Sequence, residues 1–300
     1  MRHRLFAQLC AMYFRVIPIS KGKFRLWLIW RKVLHNLEME ARSEFGARFI
    51  CQMDDFIPAR IFQFGIWERN LTAFISRRLR PGDVFIDVGA NVGYFTLLAS
   101  TLVGQTGRVV AIEASPSIFK HLERNLQLNN ARNVRPVNLA AGGAPGVVPI
   151  FPGFEYHRGT MSIVPERLGH DAVAEAFVNM DLLTNIISEE EMRRARLIKI
   201  DVEGAEMPIL ENILSHINSF SDELEIVAEL SALKRGHSHW AQLAVDSFRS
   251  AGFRAYLVEN IYDIGFESRW NKVVPPTLLR ELTFSEEIDV VFSRSESDTL

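Results

Sequence analysis

The stretch DVFIDVGANVGYF, at residues 83–95, decides the fold of this chain. It opens with a short apolar run at 84–88, which is typical of a strand covered on both faces of a parallel sheet. Gly89 and Gly93 then allow a tight turn and a close backbone approach to a ligand. Residues 94–99 have the apolar density of a helix packed on the sheet. The pattern predicts a strand, a glycine turn and a helix, an arrangement that builds a nucleoside-binding corner.

The spacing of the glycines limits which class of ligand the turn can bind. Gly89-x-x-x-Gly93 lacks the middle glycine that lets a pyrophosphate lie against the backbone, which argues against a nucleotide-dependent oxidoreductase. Asp87 stands two residues before the first glycine, where a carboxylate would repel a diphosphate but can pair with an ammonium group. A second strand, at 108–112, ends at Glu113, the place of an acid that holds ribose hydroxyls. Each feature alone is better explained by a structural role in a turn or a helix cap, but their shared register reverses that judgement and favours S-adenosylmethionine.

Beyond this corner, apolar strand segments alternate with helical segments, which is typical of a doubly wound parallel sheet. We predict an α/β, Rossmann-like fold with a seven-stranded, mostly parallel sheet whose final strand is antiparallel. A helix between the second and third strands is expected at 117–129. The strands are expected at 84–88, 109–112, 133–140, 197–201, 224–229, 253–259 and 288–292.

The chain divides into three predicted parts. Residues 1–37 form a basic, aromatic segment, residues 38–80 a helical and β lead-in layer, and residues 81–300 the main domain with an insertion at 142–195. The insertion is rich in glycine and proline and is expected to shape a substrate pocket. Within the lead-in layer and the insertion we expect a hairpin near 49–64, a helix over 68–79, β pieces at 147–151 and 160–164, and a polar helix at 188–194.

Composition points to a globular protein of a reducing compartment. With 300 residues, 48% of them hydrophobic, the chain can bury a sizeable core. Its two cysteines, Cys10 and Cys51, form neither a disulfide framework nor a metal-ligand pair. Cytoplasm is therefore the expected compartment.

Charge is distributed unevenly: residues 1–37 carry eight Lys or Arg and no Asp or Glu, although the whole chain has a net charge of −2. No small-residue cleavage site follows the first apolar run, so export is not predicted. The run at 24–34 is too short and too charged to span a bilayer. It fits either a helix packed on the core or a helix lying peripherally on the inner, anionic face of a membrane. Nucleic-acid binding is disfavoured, because the basic residues are confined to one end.

Four motifs together resemble the FkbM family of S-adenosylmethionine-dependent methyltransferases. They are 83–94, Glu113 with Pro116, the Asp-Leu-Leu at 181–183, and LIKIDVEGAE at 197–206. The resemblance covers about 60–295 and implies a class I methyltransferase fold. It further implies methyl transfer to oxygen, on a small-molecule or glycan/lipid acceptor such as a sugar, a glycolipid or a secondary metabolite. The chain departs from the family pattern in two places, so the resemblance does not define the acceptor pocket. Pro116 is separated from Glu113, and Asn179-Met180 replaces a common Thr-Leu pair.

The predicted site has a donor side and an acceptor side. Asp201 and Glu203, at the end of the fourth strand, are predicted to face the acceptor, and Glu203 in particular can take its proton. Glu206 is expected mainly to cap the following helix. A divalent metal held by Asp201, Glu203 and Glu229 ranks below direct base catalysis, and no metal is predicted. A chain that binds the donor without catalysis is the alternative function. The predicted donor-binding residues are Glu68, Asp87, Gly89, Asn91, Gly93 and Glu113.

Overall fold

The computed structural model describes residues 2–16, 23–34, 37–151, 173–202, 204–231, 238–260, 272–280 and 287–300. Its first half-dozen elements form the layer that precedes the main sheet. Their bounds are α1 (Arg2–Val16), α2 (Lys23–Leu34), β1 (Glu38–Arg42), β2 (Arg48–Gln52), α3 (Phe56–Phe64) and α4 (Arg69–Arg78).

The predicted hairpin near 49–64 is wrong in position. β1 and β2 form the hairpin further upstream, pairing Glu38 with Gln52 and Arg42 with Arg48. The second half of the predicted hairpin is α3, whose last seven residues, 58–64, are all buried. Because even the polar Arg60 and Gln63 are buried along with the apolar residues, α3 has no solvent-exposed polar face, and its helical period is hidden in the sequence. The helix predicted over 68–79 is confirmed as α4.

From the glycine turn onward, strands and helices alternate. In chain order the elements are β3 (Val84–Val88), α5 (Tyr94–Val103), β4 (Arg108–Ile112), α6 (Pro116–Leu128), β5 (Val134–Val137), β6 (Ala140–Ala141), β7 (Gly146–Ile150), β8 (Ala176–Asp181), α7 (Leu183–Ile186), α8 (Glu189–Arg194), β9 (Ala195–Ile200), α9 (Glu206–Ser215), β10 (Glu225–Ser231), α10 (Ser238–Ser250), β11 (Arg254–Val258), β12 (Thr277–Leu278) and β13 (Glu287–Ser293).

The main sheet has the order β12-β11-β13-β10-β9-β3-β4-β5. The strands β5, β4, β3, β9 and β10 run parallel, and β13 is antiparallel to both of its neighbours. The seven predicted strands are therefore present with the predicted closing strand. Among the described residues the two-residue edge strand β12 adds an eighth.

Both faces of the main sheet are covered. Phe85, Leu197 and Val227 belong to the core shared with α5 and the N-terminal layer. Ile86 and Ile198, one position along from them, belong to the core shared with α9 and α10. Because successive side chains of a strand point to opposite faces, the apolar runs read from the sequence fill two separate cores.

The predicted insertion contains a small sheet of its own, in the order β6-β8-β7. The third predicted strand, 133–140, is split, since β5 joins the main sheet and β6 joins this small one. The β piece at 147–151 is confirmed as β7, and the polar helix is confirmed as α8, which Ser188 caps with Glu191. The piece at 160–164 lies outside the described residues.

The basic N-terminal segment packs on the core through aromatic side chains. Phe14 and Trp30 are fully buried, and they contact Phe64 and Phe62 of α3 with ring centroids 5.8 and 6.2 Å apart. The prediction of a helix packed on the core is confirmed for α2. Within the described ranges, no helix combines the length and the apolar character that crossing a bilayer requires. The division of the chain at 37/38 and 80/81 stays a prediction.

Candidate functional site

The glycine turn lies at the carboxyl end of β3, in contact with β9. Gly89 has a φ of +80°, and a Cβ added there would lie 1.8 Å from the backbone oxygen of Asp201. Only glycine therefore lets the two strand ends approach this closely. Gly93 has a φ of +90° and precedes α5, where a Cβ would lie 2.6 Å from Leu122 Cδ1. Positive φ and a close neighbour thus favour glycine at both ends of the turn.

Glu113 connects this turn to the end of β4. Its Oε2 accepts the Asn91 N–H at 2.9 Å and its Oε1 accepts the Ser115 N–H at 2.9 Å. Asn91 takes the left-handed conformation, with φ of +51°, that presents its N–H to the carboxylate. Burial raises the pKa of Glu113 to about 7, although the two backbone hydrogen bonds oppose the shift. Each oxygen keeps a lone pair that can accept a further hydrogen bond.

Asp87 is a buried carboxylate at the penultimate position of β3, two residues before Gly89. It is 1% exposed, and Thr96 Oγ1 of α5 donates to its Oδ2 at 2.6 Å. Its Oδ1 has no hydrogen-bond partner among the described residues. Burial raises the pKa of Asp87 to about 6, with the Lys199 ammonium acting in the opposite direction. A buried acceptor atom without a partner is a feature that a bound donor group would explain.

The acceptor side begins where β9 ends. Asp201 follows the strand, its N–H bonds Val88 O at 3.0 Å, and its side chain is 35% exposed. Glu206 accepts the N–H groups of Val202 and Gly204 at 3.3 and 2.7 Å, so its carboxylate holds the turn between β9 and α9. Glu206 stands in the first turn of α9, as predicted, but the N–H groups that it accepts belong to the turn before the helix. Glu203 is flanked by these two bonds but itself lies outside the described residues.

Glu68 approaches the site from the N-terminal layer. It is the residue before α4, has a left-handed φ of +42°, and is buried. Its carboxylate is close enough to the Lys199 ammonium to help raise the pKa of that lysine. The structure thus brings Glu68 to the face of the sheet that carries Asp87.

Among the described residues, which do not include Glu203, no group of three or more His, Cys, Asp or Glu side chains is arranged to hold an ion. Glu229 lies within β10 and pairs in register with Asp289 of β13. On its other side β10 pairs Ala228 with Ile200 of β9, and Glu229 and Asp201 each come directly after that pair. A metal held by Asp201, Glu203 and Glu229 stays a sequence-based alternative.

Strand order, reversed last strand, glycine turn after β3 and acid after β4 together define a class I, S-adenosylmethionine-dependent methyltransferase. The residues fit this donor. Asp87 offers a free acceptor for an ammonium group, Glu113 offers acceptors for ribose hydroxyls, and Gly89 leaves the backbone bare between them.

Comparison with known sequences places the chain more narrowly. Residues 87–255 match the family described as the methyltransferase FkbM domain, and this chain belongs to that family. Methyltransferase sdnD of Sordaria araneosa is 26% identical over 220 residues, which are 62% of this chain and 75% of that protein. Hexuronic acid methyltransferase AglP of Haloferax volcanii is 23% identical over 159 residues, 51% of this chain and 59% of that protein.

Among solved structures, methyltransferase FkbM of Methylobacillus flagellatus KT aligns with a TM-score of 0.46 and 14% identity, over 97% of this chain and 59% of that one. Family membership makes the chain an S-adenosylmethionine-dependent methyltransferase. It leaves the acceptor, and the atom that is methylated, to be argued from the site.

Sequence reasoning did not find every polar residue at the site. Lys199 was treated only as part of a strand, although a lysine inside an apolar run followed two positions later by an aspartate indicates a buried ion pair. Thr96 and Asn125 carried no sequence signal, because their partners Asp87 and Val92 O are set by how helices pack on the sheet.

Proposed function

We propose that this methyltransferase acts on a hydroxyl oxygen of a sugar, a glycolipid or a secondary metabolite. When bound, S-adenosylmethionine supplies an electrophilic methyl group on a positively charged sulfur. The chain must then align an acceptor oxygen with that group and receive the hydroxyl proton. The acceptor oxygen gains the methyl carbon, the carbon–sulfur bond breaks, and the proton passes to a carboxylate.

The observation that carries the proposal is the placement of Asp201 against Gly89. The Asp201 carbonyl is close enough to the donor turn to exclude a Cβ at Gly89, and its carboxylate is part-exposed beside the same turn. Glu203 follows two residues later and is the proposed proton acceptor. Asp201 is ion-paired with Lys199, which holds its carboxylate in place and suits it to orienting the hydroxyl.

A carbohydrate acceptor is supported by one relative. The Haloferax volcanii protein carries a name that specifies a hexuronic acid as its substrate, and its similarity covers about half of this chain. We propose a polyhydroxylated acceptor on this basis, and a free or lipid-linked sugar has the required chemistry.

The test is methyl transfer from isotopically labelled S-adenosylmethionine into fractionated cell extracts by the purified full chain. We expect a labelled product in a glycan or lipid fraction, with a ¹³C NMR signal of a methyl group on oxygen. Glu203→Gln should bind the donor normally and slow the transfer. Label on nitrogen or carbon would contradict the proposal. Donor binding without transfer into any fraction would support the alternative of an inactive, nucleoside-binding protein.

We also propose that the chain is cytoplasmic and attaches to the inner membrane face through α1 and α2. Phe14 of α1 and Trp30 of α2 pack on α3, whereas both helices carry exposed aliphatic side chains and α2 also carries exposed cationic ones. Eight basic and no acidic residues in 1–37 favour an anionic surface over a neutral one. The exposed residues concerned are Leu9, Met12, Arg25, Ile29, Lys32 and Val33.

Vesicle flotation tests this attachment. The full chain should float with vesicles that contain phosphatidylglycerol and remain in solution with phosphatidylcholine alone. Met12→Asp with Ile29→Asp should abolish flotation, while Phe177→Asp, at an even more exposed apolar residue of β8, should not. Equal binding to both vesicle types, or equal loss with Phe177→Asp, would disprove the attachment. Deleting 1–37 is a poorer test, because it would expose the apolar face of α3.

A further inference from the structure

Lys199 is a buried cation in the middle of the sheet. It is 4% exposed, and its register partners are Asp87 on β3 and Val227 on β10. Its neighbours Ile198 and Ile200 belong to the opposite core. A lysine in this environment requires counterions, because an unpaired buried charge is very costly.

Carboxylates from three segments surround the Lys199 ammonium. Its Nζ donates to Asp201 Oδ2 at 2.9 Å, and the Phe95 ring lies 5.2 Å from the ammonium. Burial alone would lower the pKa of Lys199, but Asp201, Asp87 and Glu68 together raise it above its usual value. The lysine therefore remains protonated, and it is the cation common to the donor carboxylate and the acceptor-side carboxylate.

The charged groups acting on Lys199 can be assigned to elements. Asp87 lies on β3, Asp201 at the end of β9, and Glu68 immediately before α4. From α5 come the uncharged side chains Phe95 and Thr96, and from β10 the apolar Val227. Asp87 interacts with the Lys199 charge and accepts a hydrogen bond from the Thr96 hydroxyl.

We propose that Lys199 is a positioning residue of methyl transfer: its buried ammonium keeps Asp87 ionised for the cationic end of the donor and holds the Asp201 carboxylate beside the acceptor. The inference rests on the roles assigned above to Asp87 and Asp201. Without the ammonium, Asp87 would face an apolar interior with one hydroxyl donor and would take up a proton. Asp201 would lose the partner that fixes its rotamer.

The decisive experiment measures the affinity of the full chain for S-adenosylmethionine by calorimetry from about pH 6 to about pH 9. The variants are Lys199→Met, Lys199→Arg, Asp87→Asn and the double variant, with circular dichroism as the check on folding. Lys199→Met should weaken binding by about 10- to 100-fold at neutral pH. Part of the affinity should return as the pH rises and Asp87 ionises. Lys199→Arg retains the charge and should keep most of the affinity.

The double variant separates positioning from packing. If Lys199 acts through Asp87, replacing Lys199 in the Asp87→Asn background should lower donor affinity by less than about threefold. The two losses of affinity will then not multiply. Losses that multiply, or a pH profile of Lys199→Met that matches the wild type, would overturn the proposal. Should Lys199→Met fail to fold, the double variant removes both buried charges and still gives the comparison with Asp87→Asn.

These measurements use donor binding alone. They are therefore independent of which acceptor is methylated and of whether the methyl group goes to oxygen. Failure of the proposed O-methylation would leave the Lys199 result standing, and the reverse also holds.

Discussion

At the scale of single residues, Gly89 is the most constrained position of the donor turn. Gly89→Ala would place a Cβ 1.8 Å from the Asp201 carbonyl at a φ of +80°. We expect it to abolish S-adenosylmethionine binding and to cost more than about 3 kcal/mol of stability. Gly252→Ala is the matched control, because its φ is +85° but a Cβ there meets nothing within 4 Å. It should cost about 1 kcal/mol and leave binding intact. Urea unfolding and calorimetry measure both.

Glu113 should make donor affinity depend on pH. We propose that its carboxylate form accepts ribose hydroxyls, and burial raises the pKa of Glu113 to about 7. Lowering the pH through about 7 protonates Glu113, so affinity should fall by up to about tenfold per pH unit below that value. Glu113→Gln should bind more weakly and lose the transition near pH 7, which calorimetry across the pH range would detect. An unchanged transition would assign it to another group.

The placement of the candidate donor residues could be predicted from sequence because it depends on local features. Asp87, Gly89 and Glu113 each stand at a fixed offset from a strand end, and strand ends of a parallel sheet meet at one edge. The partners of these residues could not be predicted the same way. Thr96 meets Asp87, and Lys199 meets Asp87 and Asp201, only after helix and strand have packed.

At the scale of elements, α6 connects the hairpin to the donor turn. The fully buried Asn125 accepts the Ile50 N–H at 2.8 Å and donates to Val92 O at 2.8 Å. Asn125→Ala leaves both backbone groups without a partner, so we expect a loss of about 2–4 kcal/mol and weaker donor binding. Asn129→Ala is the control, since Asn129 bonds both backbone groups of Arg48 but not the turn. It should destabilise the chain without changing donor affinity. Equal effects on affinity would contradict the coupling.

The helices and strands that could be predicted are those whose sequences show one clear hydrophobic pattern; the others lack such a pattern. β3, β4, β9 and β10 are buried on both faces and stand out as apolar runs. β8 has exposed and half-buried residues on both faces, with Val178 as its buried exception, and it was not predicted. The helix α3 was read as part of a hairpin because its buried surface extends all round. In each case burial set by other elements overrode the local pattern.

For the whole molecule, ionisation of the two buried acids, Asp87 and Glu113, lowers the stability of the folded chain. The pKa of Asp87 is raised to about 6 and that of Glu113 to about 7, both mainly by burial. Their folded-state pKa values exceed those of the unfolded chain, so their stabilising contribution is complete below the unfolded values and is lost as the pH rises through about 7. The unfolding free energy of the wild type should therefore fall as the pH rises from about 5 to about 8. In Glu113→Gln the fall should be smaller by about 2–3 kcal/mol. Urea unfolding at both pH values checks this.

The pairing of β3 with β9 also governs how the chain acquires its structure. Val84 pairs with Ala195, so the inner edge of the strand that carries the donor turn stays open until the insertion has been synthesised. Contacts so distant along the chain carry a large loop-closure entropy and slow the folding reaction. A nascent chain that has emerged only as far as α8 would present β3 as an unprotected edge prone to aggregation. The methyl-donor corner therefore gains its neighbour β9 only after about two thirds of the chain has been synthesised, although its own sequence is complete within the first third.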